Sequence, residues 1–465
     1  MISMLSKNEI QDILQIGLNK GFDFIELFFE DNISNYLTII DKEVVKYSTN
    51  YIFGLGIRLL KETDEIYIYT NKIEYKYIVS LIEEQKNVNN DEKIKKIIPL
   101  GESKKINNNI KNNFNSWTIS DKINKMMKLS RIMKEYDSKI IQSIVNFEEK
   151  EQKILVANSK GIYQKDFRPY IMCSMTAVAK DNKNMEEFNE HRGRSMGLEI
   201  FDLIDFEDIA KKTAKKAIML LTAETIKPQT MTLVIKSGSG GVIFHEACGH
   251  SLEATAIARG LSPFCDKINK KIASDVVTAY DDGTIQNSWG KLNFDDEGNP
   301  TQKNLLIENG ILRNYLIDYR NSLKMKMKVT GSSRRQSYKY SPTSRMNSTY
   351  IAAGKDTPEQ IIKDTKNGLY AESFGGGTVM PTTGEFNFMV KSGYLIEDGK
   401  LTKFVKGMIL IGKGQNVLLK IDRVANDLEL DQGYCGSVSG YVPVDLGQPT
   451  IRVQDMIVGG SQKND

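Results

Sequence analysis

The sequence predicts an α+β protein, with N-terminal α+β modules followed by a large, mainly antiparallel β C-terminal domain that carries a metal-binding helix. Three observations lead there. Many short runs alternate apolar and polar residues, as half-buried strands do. A few segments, most of them in the first half, instead repeat their apolar residues at helical spacing. In the second half, Asn309-Gly310 and Asp398-Gly399 each separate two strand-like runs, the signature of a type I′ hairpin.

The first module spans 1–115. It opens on an amphipathic helix over 8–19, with Ile10, Ile13, Leu14 and Leu18 on one side. Strands follow at 22–29, 36–40, 51–60 and 65–69, then a helix over 73–84. The stretch 85–115 is rich in Lys and Asn and lacks aromatic or arginine interleaving, so it reads as a solvated linker and not as a nucleic-acid arm.

The middle module, 116–225, begins with a helix capped by Ser120 and carrying Ile123, Met126, Met127, Leu129, Ile132 and Met133. That methionine stripe is core packing. Strands at 140–147, 153–158 and 169–180 lead to a turn at Asp181-Asn182, and a helix covers 206–221.

The third unit, 226–465, starts with a strand over 231–235 that runs through Ser237-Gly238-Ser239-Gly240-Gly241 into a helix bearing His245. No Lys-Ser/Thr follows those glycines and they do not match a dinucleotide fingerprint, so they serve close backbone approach. Around Asn309-Gly310 the strands are 304–307 and 312–317; around Asp398-Gly399 they are 393–396 and 401–404. Between them Thr357 caps a helix with Pro358 at N1 and Gln360 at N3, ending after Lys366 at Gly368.

Composition bounds the functional class. The 465 residues are 40% hydrophobic and 26% charged with a net charge of +4, which fits a globular protein and gives no reason to expect nucleic acid. No run reaches the ~18 apolar residues of a membrane span, and the first twenty residues lack a leader-like apolar core. Four scattered cysteines without a disulfide framework fit a cytoplasmic protein.

The chemistry concentrates in His245-Glu246-Ala247-Cys248-Gly249-His250, which holds two of the three histidines in the chain. Imidazole is the commonest protein ligand for zinc, and a neighbouring Glu that does not bind the metal can accept a proton from water. On an ideal helix, positions five apart diverge by ~140°, so the turn must bulge or break for both rings to share an ion. Gly249 would tolerate that distortion. Cys248, three residues after His245, remains open as a ligand in place of His250. The competing reading is two packed core histidines. His191, in the charged run 190–192, reads as exposed and without a metal role.

A third ligand must come from elsewhere. Cys173 lies in a strand and Cys265 in a polar loop, whereas Cys435 sits in the glycine-flanked turn Gly433-Tyr434-Cys435-Gly436. From its residues alone, Cys435 reads more readily as a free thiol in a tight loop than as a ligand, and a nucleophile paired with histidine is a weaker third reading.

The segments 245–253, Arg345-Met346-Asn347-Ser348-Thr349, Gly375-Gly376-Gly377 and Asn426-Asp427-Leu428 through Tyr434-Cys435-Gly436 resemble the TldD/PmbA metalloprotease family along essentially the whole chain. The histidine motif, absent from PmbA-like (TldE) members, points to the TldD-like branch. The resemblance implies Zn²⁺ held by His245, His250 and Cys435, with Glu246 as catalytic base. Cys248 stands at a variable position of that motif. The resemblance further implies a cytosolic peptidase acting on unfolded or modified peptides, as a homodimer or paired with a TldE-like paralogue. Arg345, Asn347, Gly375, Gly376 and Gly377 become candidate substrate contacts, with tight turns and a buried ion pair as the alternative. A non-hydrolytic zinc-dependent peptide-binding module is the competing function.

Overall fold

The structure, a computed structural model, describes residues 5–86, 96–103, 110–380 and 382–460. Residues 87–95 and 104–109 of the expected linker lie outside these. Its segment 96–103 is not simply solvated: the Ile98 N–H donates to Ser159 O at 3.2 Å, and Leu100 is buried in the first helical core.

Six antiparallel strands form the first sheet, in the spatial order Asp64–Thr70, Glu43–Lys61, Phe24–Ile40, Ile140–Asn158, Tyr163–Lys180, Met185–Arg194. This sheet joins strands of the first two expected modules. The strands expected at 22–29 and 36–40 are one strand, as are those at 140–147 and 153–158. Polar residues interrupt the alternation in mid-strand, yet they satisfy one another across the ladder: Asn35 donates to Glu149 at 2.9 Å and Gln152 to Glu30 at 2.7 Å. Pairing of this kind removes the desolvation penalty that would otherwise break the strand.

Successive side chains of a strand face opposite ways, and the two faces meet different partners. Ile25, Leu27 and Phe29 lie under helices Lys7–Asn19 and Tyr75–Glu83, while Leu37, Ile39, Val145 and Phe147 lie under Ile119–Lys134 and Phe206–Leu221. The opposite face carries Phe28, Ile154 and Val156 against Phe294 and Tyr338 of the C-terminal unit. Helix Ile119–Lys134 starts earlier than expected, because Thr118 and Asp121 satisfy each other's backbone N–H groups in a capping box; Ser120 falls inside the first turn.

Two further six-stranded sheets build the C-terminal unit, beside a small pairing of Ser333–Arg334 with Thr343–Ser344. One runs Lys400–Lys413, Glu385–Glu397, Asn367–Met380, Gln229–Ile235, Ile451–Gly460, Ile421–Val424, and closes on itself because Lys400–Lys413 also pairs with Ile451–Gly460. The other runs Ile311–Leu312, Lys303–Glu308, Ala279–Asp282, Ser348–Ile351, Gly440–Gln448, Glu429–Ser437. Pairing is mainly antiparallel, with parallel pairs at Gln229–Ile235/Asn367–Met380 and Ser348–Ile351/Gly440–Gln448.

Both expected hairpins have positive φ at their two central residues: Asn309 46° and Gly310 81°, Asp398 49° and Gly399 73°. The strand expected at 312–317 is only Ile311–Leu312, because Leu316 leaves the ladder to bond the backbone of Leu252 and Ala254 beside the histidine motif. Thr357 and Gln360 form the expected capping box, but the helix is Pro358–Lys363, and Gly368 lies in the next strand.

Candidate metal centre

Strand Gln229–Ile235 delivers the chain to a tight glycine turn, Gly238–Gly241, and then to the helical segment that begins at Val242. A Cβ on Gly241 would stand 2.5 Å from the backbone N of Gly447, so this glycine serves close backbone approach; Gly240 instead makes room for the side chains of Ile235 and Gln448, and Gly238 takes a positive φ of 74°. His245–Gly249 is a single π-helical turn, in which the His250 N–H bonds to His245 O. Widening the turn by one residue brings position i+5 round to the face of position i, the distortion that the motif spacing demands. Gly249 keeps ordinary helical dihedrals, φ −53° and ψ −56°, so strain is not its reason. A side chain there would collide with Met346, whose Sδ would lie 2.2 Å from the Cβ.

Cys435 comes from strand Glu429–Ser437, at the edge of its sheet. The Sγ lies 3.3 Å from His245 Nε2 and 3.2 Å from His250 Nε2. The two imidazole planes are nearly perpendicular, at 87°. Three donor atoms, two from one turn and one from a strand 185 residues beyond His250, thus lie within 4.8 Å of one another. Cys248 does not join them. It is fully buried among apolar residues, and burial raises its thiol above the ordinary range.

Burial opposes ionisation of Cys435, but the two imidazoles outweigh it and hold the thiol well below its ordinary value. Burial likewise opposes a charge on His250, and Glu253 together with Cys435 reverses the balance and pushes it well upward. Cys435 and His250 thus each favour the other's charged form. Two nitrogens and one sulfur are the donor set of zinc-like, borderline-soft ions, and the convergence of three such atoms fits one.

Behind the donors, Glu253 Oε2 lies 3.2 Å from His250 Nδ1. Arg345, fully buried, donates to Cys435 O, to Gly440 O at 2.8 Å and to Ser439 Oγ at 3.0 Å. Asn347 is also fully buried, and its N–H donates to Asp281 at 2.7 Å. Burial pushes Asp281 up to about 6. Arg345 therefore lies behind Cys435 in a buried ion pair with Glu253, and Asn347 is buried against Asp281; neither lines the cleft. Glu253 is part of the motif segment, but its role was missed; its signal was the i,i+3 spacing from His250.

In front of the donors lies a cleft of about 550 Å³, lined by Glu246, His250, Arg259, Gly377, Tyr434 and Cys435 among others. Glu246 is partly exposed there, with Oε2 3.7 Å from His250 Nε2. Gly377 lines the cleft; Gly375 and Gly376 precede it on strand Asn367–Met380, where the ladder to Glu385–Glu397 slips between Phe374 and Gly377. His191, expected to be exposed, is half-buried with its Nε2 3.0 Å from Gln432 O, because strand Met185–Arg194 packs against the strand that carries Cys435. Among the described residues no helix is long and apolar enough to cross a membrane.

Three domain models cover the chain: PmbA/TldA metallopeptidase domain 1 at residues 25–84, the central domain at 112–221 and the C-terminal domain at 228–460. A "Metalloprotease TldD homolog" of Buchnera aphidicola subsp. Schizaphis graminum is 32% identical, over 99% of this chain and 98% of its own. One of the same description from Haemophilus influenzae is 32% identical, over 99% and 97%. The crystal structure of TldE from Thermococcus kodakarensis has the same fold, with a TM-score of 0.76 at 20% identity, covering 97% of this chain and 100% of that one. The chain belongs to the PmbA/TldD metallopeptidase family.

Proposed function

We propose that this family member is a zinc-dependent peptidase of the TldD-like branch, with His245, His250 and Cys435 as the metal ligands and Glu246 as general base. The observation that carries the reading is the meeting of three convergent donors with a carboxylate on the wall of an open cleft. A structural zinc site needs no such base and closes its fourth position with protein. Zinc held there supplies Lewis-acid activation of a water molecule and of the scissile carbonyl.

The chain's own residues do the rest. Glu246 accepts the proton of the attacking water and returns it to the leaving amine nitrogen. Its partial exposure on the cleft wall leaves the carboxylate able to reach either position. The backbone of the bulged segment ending at Gly377 offers groups that have slipped from their ladder, suited to an extended peptide read through its main chain and with little regard to side-chain identity. Unfolded or modified peptides are the substrates of such a site. We assign the protein to the cytoplasm, working as a homodimer or with a TldE-like paralogue.

The test is incubation with an unfolded peptide, followed by mass spectrometry and metal analysis. Zinc-loaded protein should yield fragments that accumulate with time and stop on chelation. Glu246→Gln should keep its zinc and lose cleavage. Capture of peptide without cleavage by wild-type protein would establish the binding module instead.

A further inference from the structure

His250 and Cys435 are 185 residues apart, yet a single buried ion pair touches the support of both. On one side, Glu253 turns Oε2 to His250 Nδ1 at 3.2 Å. On the other, Arg345 spends both terminal nitrogens on the Cys435 strand and its turn, at Cys435 O, Ser439 Oγ and Gly440 O. The two atoms left over, Glu253 Oε1 and Arg345 Nε, have no hydrogen-bond partner among the described residues and stand 3.7 Å apart. Both side chains are buried, at 6% exposure for Glu253 and 0% for Arg345, where little water screens the pair. We propose that Glu253 and Arg345 form a clasp that sets the His250 ring and the Cys435 strand in mutual register before an ion arrives, so that metal affinity depends on the pair as a unit.

The physical reason lies in what each donor lacks alone. The ring of His250 can rotate about its side chain, and a carboxylate on Nδ1 selects the tautomer that presents Nε2 to the ion. Cys435 lies on an edge strand, and Arg345 replaces the missing neighbour by gripping its carbonyl and the following turn. Glu253 borders the cleft but is buried and turned to His250 Nδ1, and Arg345 is walled off entirely; each acts through the ligand it holds, so both are positioning residues.

The inference rests on the metal-ligand reading above, and the experiment separates the two. Zinc affinity is measured by competition with a chromophoric chelator for wild type, Glu253→Gln, Arg345→Met and the double variant. The thiolate-to-metal charge-transfer absorption of the cobalt-substituted proteins reports the geometry, and circular dichroism of the metal-free proteins reports folding. Each single variant should bind zinc about 10- to 100-fold more weakly, with an altered cobalt spectrum. The double variant, which removes both charges and so spares the fold an unpaired buried ion, should be no weaker than the poorer single variant. Wild-type affinity and spectrum in folded Glu253→Gln, or losses that multiply in the double variant, would overturn the clasp while leaving the metal site standing. A wild-type protein that takes up neither ion would remove the metal reading and the clasp with it.

Discussion

Two regions of this molecule bury charge, and they do so to different ends. Where the first sheet meets the C-terminal unit, carboxylates and arginines are matched pair by pair: Arg335 with Glu26, Arg58 with Glu297 and Glu65, Arg168 with Asp296 at 2.6 Å. Asp295 is caged by the N–H groups of Glu297, Asn299 and Ser333 at 2.9–3.2 Å. At the candidate metal centre the donors instead point at one another, His245 Nδ1 has no hydrogen-bond partner among the described residues, and the group opens on a cleft. Buried charge by itself is therefore a poor guide to chemistry. Convergence of lone pairs beside an opening is the better one.

The sharpest way to break this contrast is at the base. Glu246→Gln should lower peptide hydrolysis by about 10³-fold with zinc content unchanged, as measured by fragment yield and metal analysis. In the seam, Arg335→Met leaves Glu26 buried without its partner and should cost about 3–5 kcal/mol in chemical denaturation, while the folded fraction binds zinc as before. A seam variant that lost zinc in proportion would show that the two regions are one cooperative unit. Cys435→Ser should weaken zinc by more than about 100-fold, beyond the loss expected for a supporting residue, with little change in the stability of the metal-free protein.

pH sharpens the comparison further. Burial raises both Asp295 and Glu297, with Arg58 opposing and Asp318, Asp295 and Glu26 adding to the rise at Glu297. The folded state thus holds more protons than the unfolded chain between the ordinary carboxylate range and neutrality. Stability from these groups is complete below that range and is lost as pH rises through their folded values. The metal-free protein should accordingly melt about 3 °C higher near pH 6 than near pH 8. Zinc binding should move the opposite way, because protons compete for the ligands at low pH. The smallest effect belongs to Cys248→Ala, which removes a packed thiol and should cost about 1 kcal/mol with full zinc retained. Loss of zinc there would restore Cys248 as a ligand.

What was legible in the sequence is what neighbours along the chain decide among themselves. The five-residue spacing of His245 and His250 required a widened turn, and the turn is π-helical. Thr357 with Gln360 announced a capping box, and Asn309-Gly310 and Asp398-Gly399 announced hairpins whose dihedrals few other residues accept. Cys435 was singled out from its glycine-flanked setting, yet only resemblance chose it over Cys248. Tertiary structure decided the rest, because the deciding partners lie far away in sequence. Strands that looked broken at Asn35 and Gln152 are continuous because Glu149 and Glu30 lie across the ladder. Arg345, a candidate for touching substrate, is buried behind Cys435, and Glu253 gained its place only when folding set it against His250 and Arg345. Local spacing dictates backbone shape through sterics and hydrogen bonds a few residues long. Which buried charge meets which is settled by packing, where a polar group must find a partner wherever the fold has placed one.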